Sequence, residues 1–356
     1  MRPAIKHSIL FFLLLLAASL SLRAEEKESL DMKSFIFGHT NDSYCFHITE
    51  IKGEPVCVWL PVIARSKETG WHVFSSKHVC ELKEGETYQG FRVASMSDPK
   101  YPGKLVEINS RGETVRPFDL SFTKNAFGIF LVCVFMLAFF LPAAKMYKKD
   151  PMGVPTKYQG MVEWLTFMVI DGIISPSIPK SKIPKFAPYL LTVFFFIFFC
   201  NLFGLIPFFP FSANVTGNLS ITLVLALCTY IAVNLFGNKH YWKDILWPDV
   251  PMFLKVPIPL MPIIELVSTL TKPFALMIRL FANILAGHIV IMVLMGLIFI
   301  IGGMYGAGLG AATSVISIFM TVFMTALECL VAYIQAYVFT MLSSIFIGMA
   351  QEETES

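Results

Sequence analysis

Two adjacent apolar stretches, Ile258–Ile301 and Ala311–Met349, set the tightest limit on what this chain can fold into. As one helix, the 44 residues of 258–301 would run about 66 Å, roughly twice the ~30 Å hydrocarbon core of a bilayer. A helix of that length must tilt strongly, bend, or lie partly along the interface. Upstream, Phe127–Ala144, Phe186–Phe209 and Leu219–Phe236 are further apolar runs of spanning length. The expected fold class is therefore an all-α polytopic membrane protein with five transmembrane helices, the last two long and strongly tilted. An interfacial amphipathic helix is expected over Gln159–Ile174. Only 15% of residues are charged, against about 25% in soluble domains. A net charge of +3 gives no electrostatic footprint for nucleic acid.

The N-terminal part reads differently. Arg2, Lys6 and His7 precede the apolar run Ile9–Ala18, and small residues and acidic charges follow. This is the pattern of a secretory signal peptide over residues 1–24, with cleavage after Ala24 or near Ser21. The alternative is a short uncleaved anchor, although the run falls short of the ~20 residues a span needs. Residues 25–122 hold most of the charges and no spanning run. Pro55–Ile63, Trp71–Phe74, Phe91–Val93 and Lys104–Ile108 are short and β-rich, so a small β-rich exported extension is expected. It carries Cys45, Cys57 and Cys80, whose pairing cannot be read, and His72, His78 and Cys80 match no metal-ligand spacing. Residues 123–356 form the membrane domain.

Loop charges give an orientation. Seven lysines (Lys145, Lys148, Lys149, Lys157, Lys180, Lys182, Lys185) follow the first run, and Lys239, Lys243 and Lys255 follow the third. The other two loops carry no Lys or Arg. The lysine-rich loops are expected in the cytoplasm, which puts the extension outside and the C-terminus inside. The chain shows no internal repeat of the kind that builds inverted-repeat transporters.

Neither a Walker-type phosphate loop nor a nucleophile–base constellation appears. Gly302–Gly310 is Gly-rich but lacks a following basic residue, and reads as the turn between the two long helices. The informative residues are the ionisable ones inside those helices: Glu265, Lys272, Arg279 and His288 on the first, Glu328 on the second, with Asn283 and Gln335 as polar company. Such groups cost ~2.5–3.5 kcal/mol at mid-membrane on insertion scales and mark ion pathways. Arginine cannot shed its proton to escape the low dielectric, so Arg279 must face water, a counter-charge or a partner protein.

Glu265, Lys272 and Arg279 are spaced seven apart and share one helix face, while His288 lies about half a turn round from Arg279. Glu328 and Gln335 also share a face. Antiparallel packing about a turn near residue 306 brings position 288 opposite about 324, one turn from Glu328. A His–carboxylate pair at that depth makes a sensible proton relay. Plainer readings exist. Gln335 also fits a packing residue, and Glu265 and Lys272 fit side chains that snorkel to the interface.

Several motifs resemble one family. Pro262–Ser268, Lys272-Pro273 and Arg279-Leu280-Phe281-Ala282-Asn283-Ile284-Leu285-Ala286-Gly287-His288, with Asn201–Pro207 and Gln335–Phe339, are similar to the a subunit of F-type ATP synthases over about residues 125–350. The resemblance implies a stator proton channel with two aqueous half-channels, no catalytic chemistry of its own and no cofactor or metal. It places Arg279 on the essential cation facing the carboxylates of a rotating c-ring. It places Glu265, Asn283, His288, Glu328 and Gln335 on the proton pathway. Implied partners are the c-ring proteolipids, a b-type peripheral stalk subunit, the remaining synthase subunits and the lipid bilayer of a bacterial inner membrane. Many bacterial members carry an acidic residue where His288 sits and a histidine where Glu328 sits, so the pair is exchanged here. The signal peptide and the extension are not general to the family, and sodium coupling stays open. Two other classes remain to be weighed. A free-standing anion transporter would transport when reconstituted alone. A non-transporting anchor would tolerate neutralisation of Arg279 and Glu328.

Overall fold

The computed structural model describes residues 42–51, 54–82, 86–95, 98, 100–109, 112–150, 153–206, 210–211, 213–246 and 260–351. The signal peptide expected over 1–24 lies outside them. The molecule divides into two compact units, one holding Gly287–Leu327 and the other Thr40–Ala286 with Glu328–Ser356.

The extension folds as short strands: β1 (Cys45–Ile51), β2 (Glu54–Trp59), β3 (Pro61–Ser66), β4 (Gly70–Ser75), β5 (Phe91–Val93), β6 (Leu105–Ile108), β7 (Thr114–Val115) and β8 (Phe118–Asp119), with one helical turn, α1 (Lys77–Cys80). They pair into a β1–β2 hairpin, a β4–β3–β8 sheet and a β5–β6–β7 sheet. Alternation along β3 buries Val62, Ala64 and Ser66. Val62 and Ala64 meet Tyr44, Phe74, Phe91 and Leu105 in a small core. The β-rich run Pro55–Ile63 does not form one strand. It splits at Leu60, whose backbone N–H donates to Ser76 Oγ at 3.0 Å, so β2 and β3 join different sheets.

A first long helix, α2 (Lys124–Lys149), starts directly beneath this domain. Thr123 caps it by accepting from the Ala126 N–H. The next two free N–H groups are satisfied from the extension: Lys124 donates to Ser43 O at 2.8 Å and Asn125 to Asp42 Oδ1 at 3.0 Å. Then come α3 (Lys157–Val169), ending in a π-turn over Ile170–Ile174, α4 (Ile183–Gly204), α5 (Leu219–Leu235), α6 (Lys239–Leu246), α7 (Leu260–Tyr305) and α8 (Ala307–Gln351). Among the described residues four helices are long and apolar enough to cross a membrane: α2, α4, α7 and α8; α5 is a shorter apolar helix. The chain is a mostly helical, polytopic membrane protein with a β-rich N-terminal domain.

Phenylalanines build the seam between α2 and α4. Phe135 meets Phe199 edge-on at 5.0 Å, and Phe140 meets Phe195 at 4.8 Å. Two sets of contacts fix which helix ends lie together. A Cβ on Gly128, in the second turn of α2, would fall 2.6 Å from Ala213 Cβ, so the start of α2 packs on the α4–α5 connection. At the opposite ends, Lys182 Nζ donates to Gln351 O at 3.1 Å and the Asn238 N–H to Ala350 O at 2.9 Å. The start of α4, the end of α5 and the end of α8 therefore meet.

Two expectations are modified. The second apolar run was read to Phe209, but α4 closes at Gly204, where the Leu205 N–H caps back to Asn201 O. The Gly-rich turn was read over 302–310. The helices instead continue through most of it and leave only Gly306, at φ +89°, between them. They can do so because Gly302 and Gly310 approach closely: a Cβ on Gly310 would lie 2.8 Å from Gly302 Cα. A helix, α3, does form over the segment expected to lie at the interface, and part of its polar side is tied to the protein. Thr156 and Gln159 form a capping box and Glu163 accepts from Tyr147 Oη at 2.7 Å, leaving Met161, Trp164 and Phe167 exposed.

Candidate functional site

The site is built on the facing parts of α7 and α8. On α7 the buried stripe is Thr269, Pro273, Leu276, Met277 and Leu280, at helical spacing, and it packs into the main core. The residues between them point outward: Phe274, Ala275, Ile278, Arg279, Ala282, Asn283 and Ala286 are exposed. Arg279 thus stands on the outer face of the chain, bordered by Ala275, Ala282 and Ala286. Among the described residues no salt bridge or hydrogen bond is formed by its guanidinium. Small neighbours leave room for another helix to come close to it, and a fixed cation there must face water or a group from outside the chain.

Two contacts fix the register of α7 against α8 in this unit. Asn283 Nδ2 donates to Gln335 Oε1 at 2.9 Å, and Lys272 Nζ lies 5.3 Å from the Phe346 ring centroid. Both pairs fit one antiparallel register. Gln335 is 2% exposed and its Nε2 has no partner among the described atoms. Glu328 is nearly as deep, at 9% exposed, and both of its carboxylate oxygens are buried with no hydrogen-bond partner. A carboxyl in that setting is expensive unless protonated or met by a proton donor. His288 is half-buried in the Gly287–Leu327 unit. Glu265 is half-buried one turn before Thr269, whose hydroxyl donates to the Glu265 carbonyl at 2.9 Å.

Sequence reading missed the polar groups that come from other helices. A cavity of ≈ 10 Å³, room for about one water, is lined by Thr229, Tyr230, Tyr241, Thr269 and Lys272 among others. Burial pushes the Tyr241 hydroxyl above its usual range. Thr229 Oγ1 lies 3.0 Å from Tyr189 Oη and 3.4 Å from Ser343 Oγ, a hydroxyl chain linking α4, α5 and α8. Deeper in, Asn201 accepts from Thr216 Oγ1 at 2.6 Å and donates to Ala332 O at 3.5 Å. The hydroxyls around Thr229 carried no sequence signal, because single Thr and Ser residues are ordinary in membrane helices. A fixed cation, a buried unpaired carboxyl and buried amides in an apolar multi-helix body mark an ion-handling membrane protein.

Residues 126–348 match the family model "ATP synthase A chain". Residues 35–121 match another described only as a domain of unknown function (DUF8433). "ATP synthase subunit a" of Myxococcus xanthus is 37% identical over 239 residues, covering 65% of this chain and 73% of that protein. The Anaeromyxobacter dehalogenans protein of the same name is 40% identical over 235 residues, 65% of this chain and 58% of its own length. "ATP synthase subunit a 2" of Chlorobaculum tepidum is 37% identical over 259 residues, 68% and 66% respectively. The chain belongs to the ATP synthase A chain family.

Proposed function

We propose that Arg279 carries out the central step of proton transfer, facing in turn the carboxylates of a rotating ring of c subunits. As a member of its family the chain is the proton-translocating membrane subunit of an F-type ATP synthase, and ATP chemistry takes place elsewhere in the complex. A proton enters from one side, neutralises a ring carboxylate, travels with the ring, and leaves to the other side. Arg279 favours the ionised carboxylate as it passes and bars a direct leak between the two half-channels. Each proton delivers about 2.3 kcal/mol per 100 mV of potential. The observation that carries this reading is the exposed, unpaired guanidinium of Arg279 among Ala275, Ala282 and Ala286.

Glu265, Asn283, His288, Glu328 and Gln335 form the polar path to it. His288 and Glu328 supply the proton-exchanging side chains of that path, a histidine and a carboxyl. The ring subunits and a b-type stalk are the partners, in a bacterial inner membrane. Five crossings leave the extension outside and the C-terminus in the cytoplasm, with residues 1–24 removed on export. Contacts that gather the lysine-rich ends of α2, α4 and α5 away from the extension support this orientation.

The test is Arg279→Ala in the assembled complex, read as ATP-driven proton pumping in inverted vesicles. Pumping should vanish while ATP hydrolysis by the soluble sector continues. Arg279→Lys should also fail to restore it, because a compact ammonium can be desolvated and deprotonated where a guanidinium cannot. A variant lacking Arg279 that still acidifies vesicles would overturn the assignment.

A further inference from the structure

The outward face of the β4–β3–β8 sheet is apolar. An antiparallel sheet with one face on a core ordinarily turns polar residues to water on the other. Here cross-strand register sets Trp71 and Phe118 on either side of Arg65, and Val73 and Leu120 on either side of Ile63. Trp71 is 55% exposed, Val73 71%, Phe118 62% and Leu120 54%. Trp71 and Phe118 touch edge-to-face at 6.3 Å, and Arg65 Cζ lies 5.7 Å from the Trp71 ring centroid. A contiguous patch of this kind calls for a cover.

Two observations say what the cover is. The first is continuity. Leu120 precedes α2 by only a few residues, and Phe122 packs edge-on against Phe130 at 6.0 Å. Phe130, Val134, Leu137 and Leu141 then form an exposed stripe down α2, the surface this helix offers to hydrocarbon. The apolar face of the sheet thus runs into the lipid-facing side of a membrane helix. The hydrogen bonds from Lys124 and Asn125 to Ser43 and Asp42 hold the extension at that helix end. The second is charge. At the far edge of the face Arg65, Lys67 and Arg116 are exposed, with Glu68 as the acid in the β3–β4 turn. Trp beside a basic group, with an apolar body and a polar tip, is the pairing that settles at headgroup level.

We propose that this sheet face is a lipid-contact surface: it rests in the headgroup region of the leaflet from which α2 starts, with Arg65, Lys67 and Arg116 reaching anionic headgroups. The extension is then a collar around the entry of α2 rather than a free domain. This rests only on α2 being embedded, not on the proton pathway.

The test uses the intact complex in membranes of phosphatidylethanolamine and phosphatidylglycerol containing a photoactivatable phosphatidylglycerol. Peptides holding Trp71–Val73 and Phe118–Leu120 should be labelled. In Val73→Glu that labelling should be lost while labelling of the helices persists, which shows the variant is still assembled. Labelling confined to the helices in the unaltered complex would overturn the proposal. A second measurement separates the other occupants. In nanodiscs of brominated lipid, the fluorescence component lost in Trp71→Phe should be quenched by bromine and shielded from acrylamide. Quenching by acrylamide alone means a face open to water, and quenching by neither means a protein cover; each overturns the proposal.

Discussion

At the residue scale the deciding quantity is what a polar side chain is left with when its partner goes. Asn201 is 2% exposed and Thr216 1%, and they bond at 2.6 Å. Asn201→Leu keeps the volume but strands the Thr216 hydroxyl, at a cost of about 1–3 kcal/mol. Adding Thr216→Val removes the stranded group, so the double variant should melt higher than Asn201→Leu alone. Thermal unfolding of the purified subunit checks this, and simple additivity of the two changes would refute it. In the extension the residue-scale question is titration. Cys45 hydrogen-bonds both Cys80 and Cys57. Its donation holds the Cys80 thiol below its ordinary value, while burial pushes Cys57 up to about 11. Thiolate forms only above the pKa, so with the cysteines reduced, Cys80 should gain iodoacetamide reactivity at lower pH than Cys57, each scaled to its own plateau. Peptide mass spectrometry across pH 7 to 11.5 gives the two curves, and coincident curves would show that the cluster does not set them. Of these contacts the sequence showed the residues but not the couplings. Asn201 stood in a recognisable motif, whereas Thr216 and the meeting of three cysteines depend on chain segments far apart in order.

At the element scale the sequence was most informative where a single physical term dominates. Apolar length located α2, α4, α7 and α8, because nothing else tolerates such runs. Alternation located the strands for a similar reason. Boundaries were less legible. Whether 302–310 is a turn or helix depends on a glycine-to-glycine approach that no local pattern reports, and α4 stops at Gly204 although apolar residues continue. Register was read only approximately, from a turn near residue 306; what sets it is Asn283 meeting Gln335 and Lys272 meeting Phe346, each a long-range pair. Two glycines give opposite predictions on these grounds. A Cβ on Gly348 of α8 would run into the Ser177 carbonyl, a backbone atom that cannot swing aside, whereas Gly160 of α3 has open space around it. Gly348→Ala should therefore lower stability by about 1–3 kcal/mol. Gly160→Ala should raise it by up to about 1 kcal/mol through helix propensity. Melting temperatures of the two variants should move in opposite directions, and a stable Gly348→Ala protein would mean that α8 does not seat against the turn after α3.

At the scale of the whole molecule, sidedness follows from α5. The helix has 17 residues, a length of about 26 Å, at the short end of what crosses a bilayer. If it crosses, the extension and the C-terminal end lie on opposite sides; if it lies flat, the count of crossings becomes even and they share a side. The contacts favour crossing. The start of α5 follows the Ala213–Val215 segment, which packs on the start of α2, while its end lies with Gln351 and Lys182. One end of α5 is thus with the extension and the other with the end of α8. The lysines sort the same way: Lys145, Lys148 and Lys149 close α2, Lys180, Lys182 and Lys185 open α4, and Lys239 and Lys243 follow α5. The positive-inside rule supports the cytoplasmic side proposed for that end. In intact spheroplasts an epitope placed at Glu86–Thr87, which are exposed and lie outside the β4–β3–β8 sheet, should be reached by an external antibody, and one placed after Gln351 should be reached only after the membrane is opened. Both epitopes on one side would show that α5 does not cross, and would remove the helix whose hydroxyls join α4 to α8.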